Sequence, residues 1–138
     1  MINPISIAVS GLFSASKKAE VAANNIVNAD VVGSVDPDSP HQAYSPKVAV
    51  DTSLSSGGQG AGVNTVVLNR TSSFVPSFSP DSPFANSEGM VNAPNVNLDE
   101  EMVNLKVAEN AYKSSAEVIR TAREMQSTLL DALNDSKS

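Results

Sequence analysis

Apolar side chains recur at helical spacing over residues 5 to 28. Ile5, Leu12, Ala19 and Ile26 stand seven apart, and Ala8, Ala15 and Ala22 form an interleaved set. A heptad seam that alternates large and small residues predicts a helix whose partner can approach closely. Pro4 suits the first helical position and Asn3 the N-cap. Gly11 weakens the middle by about 1 kcal/mol relative to alanine, so packing must compensate. A second and longer helix is predicted from Leu98 to about Leu133, about 50 Å at 1.5 Å per residue. Its seam runs Leu105, Ala108, Tyr112, Ser115, Ile119, Ala122, Gln126, Leu129 and Leu133. A parallel row, Val107, Ala111, Val118 and Met125, makes the apolar arc wider than one seam. Asn97 can cap this helix, and Asp99, Glu100 and Glu101 sit where the helix dipole favours negative charge.

Between the helices the period changes. GSVDPDSPHQAYSP is turn and loop chemistry. Tyr44, Val48 and Val50 alternate as in a short strand, and Val63, Thr65 and Val67 alternate again. SSGGQGAG between them reads as a flexible break. A hairpin or two-stranded ribbon is therefore predicted, followed by an extended, proline-punctuated stretch, SSFVPSFSPDSPFANSEG. The expected fold is mainly α. Residues 1–30 and 97–138 supply two helices paired as in a coiled coil, and residues 31–96 form a small β-hairpin and extended-loop insert.

This order inverts the usual one, because chain ends are ordinarily the polar, least ordered parts of a domain. Two antiparallel helices bury one seam each, which leaves the second row on the longer helix facing water. Exposed apolar stripes of that length mark association surfaces. With Ile26 facing the seam, Asn24 and Asn28 fall on the reverse of the first helix and Asn25 on its flank, where their amides are available to neighbouring chains. Asn28 is expected to end the helix in the left-handed conformation.

Composition narrows the function. The net charge of −6 gives no general attraction to nucleic acid or anionic lipid. There is no cysteine, which excludes disulfides, thiolate metal sites and cysteine nucleophiles. His41 is the only histidine and stands among turn formers, so no metal site or cofactor is expected. The serines lack a nucleophile elbow or a base, and neighbouring carboxylates at 99 to 101 point about 100° apart on a helix, so they do not converge on a substrate. No catalytic residue, nucleic-acid partner or small-molecule substrate is expected. The N-terminal segment lacks the basic start of a cleaved secretory signal.

Two stretches resemble a known family. ANNIVNAD, residues 23 to 30, is similar to the N-terminal signature of bacterial flagellar rod and hook subunits, A-x-N-I-A-N. SPDSPFANSEGMVNAPNVNLDEEMVNLKVAENAY, residues 79 to 112, resembles the segment typical of a proximal-rod subunit, with Pro94, Asn95, Val96, Glu101, Met102, Ala108 and Tyr112 among the matching positions. The P-N-V-x-x-x-x-E-M-V run from Pro94 is its most specific part. The resemblance implies a structural protein that polymerises through its terminal helices into the drive shaft of the flagellar basal body. It implies contacts with copies of itself, other rod proteins, the MS-ring adaptor at the rod base and distal-rod neighbours. It also implies export by the flagellar type III apparatus, without a cleaved signal, into a rod crossing the periplasm. The alternatives are another axial subunit of the rod or hook type, or a rod-associated wall-cutting enzyme.

Overall fold

The computed structural model describes residues 4–135. The expected cap at Asn3 lies outside them. Helix α1 spans Pro4–Val27 and helix α2 spans Leu98–Asp135. Between them run β1 (Lys47–Ser56), β2 (Gln59–Asn69), β3 (Phe74–Phe78) and β4 (Met90–Pro94). The expectation of a mainly α protein is overturned. The described chain is 47% helix and 24% strand, with the strands in two small antiparallel sheets, so the class is mixed α and β.

The miss has two causes. SSGGQGAG is not a break but the end of a hairpin. Gly57 and Gly58, with φ of 59° and 78°, make the two-residue turn, and pairing runs from Ser56↔Gln59 to Lys47↔Asn69. Two successive positive φ values match the twist of the flanking strands, which is why glycines serve there. A bulge opposite Leu54 and Ser55 places Gly62 at φ 121° directly over α1. The second cause is the ribbon β3–β4, in register from Phe74↔Pro94 to Phe78↔Met90. Its prolines, Pro76 and Pro94, obscured the strand signal, yet a two-stranded ribbon has free edges where a missing N–H is harmless.

The helices pack antiparallel. Asn25 of α1 meets Glu101 of α2, and Gly11 meets Ser115. The buried line of α1 is Ala8, Ala15 and Ala22, with Ala108 opposite. Ile5, Leu12, Ala19 and Ile26 are only half-buried along its flank. Small residues thus set the distance between the axes, and a β-carbon on Gly11 would lie 3.0 Å from Ser115 Oγ. Because that hydroxyl can rotate away, Gly11→Ala alone should be near neutral. Combined with Ser115→Ala it should stabilise by about 1 kcal/mol through helix propensity. Chemical denaturation of the two variants checks this.

The hairpin lies along a second side of α1. Ser10 Oγ accepts the Val63 amide at 3.1 Å, and Ser14 and Lys18 bond Asp51. A separate knot closes the far end of the pair. The loop after α1 bridges to β4 through reciprocal bonds between Gly33 and Asn92, both 2.9 Å, and covers the buried Val91 and Ala43.

Candidate functional site

The joint between helices and insert is polar and buried. Asn25 has no exposed surface. Its Nδ2 donates to the Lys47 carbonyl at 2.8 Å and to Glu101 Oε1 at 3.1 Å. Its Oδ1 accepts the Lys47 amide at 3.0 Å and the Tyr44 hydroxyl at 2.9 Å. Glu101, 2% exposed, also takes an ion-pairing hydrogen bond from Arg70 at the end of β2. One amide and one carboxylate therefore tie α1, β1, β2 and α2 together with every buried polar atom bonded, the condition under which a buried network specifies one arrangement. Burial, then the charge of Glu101, raises the Tyr44 pKa and keeps its hydroxyl a donor.

Two expectations change here. Asn25 is not a flank residue offered to other chains; it is the centre of the joint. Glu101 does not simply complement the helix dipole from solvent, because the helix pairing carries it inside against Arg70. Asn97 does cap α2, its Oδ1 accepting the amides of Asp99 at 3.1 Å and Glu100 at 3.3 Å. Asn24 and Asn28 lie toward solvent, and each amide bonds back to the carbonyl four residues earlier. Asn28 is not left-handed, since no non-glycine residue among those described has positive φ.

A second clamp holds the hairpin to α1. Asp51 accepts from Ser14 Oγ at 2.9 Å, Thr65 Oγ1 at 2.8 Å and Lys18 Nζ at 2.5 Å. Burial opposes ionisation of this carboxyl, but the hydrogen bonds from Lys18, Thr65 and Ser14 outweigh it and its pKa falls below the ordinary value. A depressed carboxyl contributes stability that is present above the unfolded-state pKa and lost as pH falls through the folded one. The hairpin should therefore loosen from α1 in acid below the ordinary carboxylate range. Asp51→Asn should remove that pH dependence, as followed by the amide shifts of Val63 and Thr65.

Helix α2 presents three distinct sides. One faces α1, with Glu101 and Ala108 buried and Leu105, Ser115, Ile119 and Ala122 partly covered. A second is a charged ridge stapled by Lys106–Glu109–Lys113 and Glu117–Arg120–Glu124. The hydrogen bonds from Lys106 and Lys113 hold the Glu109 carboxyl down to about 2. The third side is apolar and open, with Val103 61%, Val107 59%, Val118 49% and Met125 68% exposed. Met102 and Tyr112 are also exposed, and Leu129 and Leu130 lie on the part of α2 that runs past α1. Of the Pro94–Asn95–Val96 run, Pro94 is buried and ends β4, Asn95 is exposed and bonds the Ser72 carbonyl at 3.0 Å, and Val96 is half-covered. Among the described residues no group of three His, Asp or Glu is placed to hold a metal, and His41 is exposed beside Phe84.

Sequence reasoning missed Arg70 and Asp51. Arg70 stood at the end of an alternating run, where an arginine is ordinarily solvated, and its partner is 31 residues away. Asp51 sat within a strand on a face that only the hairpin's placement against α1 makes inward.

Antiparallel terminal helices with one unpartnered apolar side define an axial, polymer-forming subunit, and residues 87–132 match the family model described as flagellar basal body rod FlgEFG protein C-terminal. The flagellar basal-body rod protein FlgC of Salmonella typhimurium is 33% identical over 125 residues, covering 91% of this chain and 92% of that one. FlgC of Agrobacterium fabrum is 30% identical over 131 residues, 95% and 94% of the two chains. FlgC of Yersinia enterocolitica is 30% identical over 126 residues, 91% and 92%. The chain belongs to this FlgC family of flagellar basal-body rod proteins, and its role is that of a structural rod subunit of the flagellar basal body.

Proposed function

We propose that the chain is a proximal-rod subunit whose two terminal helices form its core unit, polymerising through the exposed side of α2 to build part of the shaft that carries motor torque toward the distal rod and hook. The observation that carries this reading is the apolar row from Val103 to Met125. It is exposed along the whole helix pair while the opposite side of α2 is fully charged. In a single subunit that row costs hydration, and in a bundle of copies it becomes core. Ala15, Ala22 and Ala108 then act within the subunit. Met102, Tyr112, Leu129 and the outward amides of Asn24 and Asn28 act between subunits. The neighbours are copies of this chain, other rod proteins and the rod-base adaptor. The subunit crosses to its place in the periplasmic span through the flagellar type III export apparatus without losing a signal peptide, and it catalyses no reaction.

Val118→Asp tests the reading, because the side chain is half exposed in the monomer and its change leaves the fold nearly untouched. Surface changes of this kind ordinarily alter stability within about 0.5 kcal/mol. The variant should be made and exported at normal levels, fail to enter basal bodies and leave cells non-motile. Normal incorporation and motility would remove the apolar row from the assembly surface.

A further inference from the structure

An open groove runs beside the helix pair. Its walls are β1, through Val48 and Ala49, and α2, through Asn104 and Val107; its floor is α1 at Lys18 and Val21. The hollow there measures about 270 Å³, and a second one of about 460 Å³ follows on the same side between Ile7, Gly11 and Val118. The groove begins at the end of the molecule where Asn25 meets Glu101. At the opposite end α2 overhangs. Pro4 lies beside Ala122, so the described helix continues about 13 residues, roughly 20 Å, beyond it. That overhang exposes Met125, Leu129 and Leu130, 68%, 60% and 56%, and keeps Arg123, Glu124 and Asp131 on its other side.

We infer that the overhang of α2 from one copy of this chain docks into the groove of the next, in a head-to-tail contact that rests on the rod-subunit reading. Three observations favour a second copy as the occupant. The two surfaces are both apolar, lie at opposite ends of one chain and cannot meet within it. Unlike patches joined in this way do not close on themselves and so generate an open filament. The charges also match. The last described turn of α2 has no basic residue although a helix C-terminus favours cations. A tail entering the groove from the Asn25 end brings that terminus and Asp131 to Lys47, beside Lys18 and Arg70. The contact is small as well. A helix segment of this length buries on the order of 800 Å² in total, short of the roughly 1,200–2,000 Å² of a stable pair. It therefore holds only where several contacts act together, as in a polymer, and leaves the free subunit monomeric.

The absence of native cysteine gives a clean test. Val107 and Leu129 are 22 positions apart on one helix, about 33 Å, so cysteines placed there cannot join within a chain. In basal bodies isolated from cells making the Val107→Cys, Leu129→Cys chain, oxidation should give disulfide-linked dimers and higher multiples. Either single variant should give none. A double variant that is incorporated but not cross-linked overturns the docking while leaving the rod-subunit reading intact. Absence of the unaltered chain from basal bodies overturns that reading itself. A charge swap gives a second readout at exposed positions. Lys47→Asp should lower incorporation at least several-fold and Asp131→Lys in the same chain should restore it. Failure of the second change to restore any incorporation also counts against the contact.

Discussion

Arg70→Ala should destabilise the protein by about 3 kcal/mol, the lower end of the range for breaking a buried ion pair, because the guanidinium is itself partly open to water. The loss falls on Glu101, left 2% exposed with only the Asn25 amide to meet its charge. Against a total stability of 5–15 kcal/mol for an ordinary domain this is a large fraction. The same change should free the hairpin from the helices first, since Arg70 is its last anchor before β3. Urea denaturation gives the magnitude, and amide exchange at Lys47 and Val48 gives the location. A double-mutant cycle with Glu101→Gln isolates the pair, and a coupling below about 0.5 kcal/mol would show that the joint is held by the Asn25 bonds alone.

Gly33→Ala is the second change with a large expected effect. An added β-carbon would stand 2.0 Å from the Ala43 amide nitrogen, 2.3 Å from the Gln42 carbonyl carbon and 2.7 Å from the His41 oxygen. All three are backbone atoms, so no side chain can swing aside. The loop must lift from β4, breaking both Gly33–Asn92 bonds and opening the cover over Val91. Lost hydrogen bonds at about 1–3 kcal/mol for each group left buried and unpaired, with the overpacking, put the cost on the order of 3 kcal/mol or more. A thermal melt reads it directly. A variant with the parent's melting temperature would mean the loop has room to shift, contrary to the packing described. Gly57→Ala makes a contrast, because there the penalty is the positive φ alone and nothing stands within 4 Å.

The sequence by itself determined the periodic elements. A seven-residue repeat of alanines in α1 and a heptad row in α2 make helices because one face of each must leave water, and that requirement is written locally. The cap at Asn97 and the alternation in β1 and β2 are local in the same sense. The family was legible for a related reason: the motifs around Asn25 and Pro94 to Val103 are short contiguous strings. What a string cannot show is which of its members face inward. Asn25 and Glu101 were visible as motif positions, but they are 76 residues apart. Their burial follows only when the antiparallel pairing brings one turn of α1 over the first turn of α2. The ribbon β3–β4 was hidden because its prolines read as breakers until a free edge accommodates them. The glycines of SSGGQGAG read as slack until both strands are seen to pair up to the turn. Tertiary structure also decided which apolar rows are left over. Periodicity gives the rows of α2, but the side on which α1 and the hairpin settle leaves Val107, Val118 and Met125 uncovered. Local sequence sets which surfaces seek burial, and only the packing of distant segments settles which of them obtain it within one chain and which wait for another.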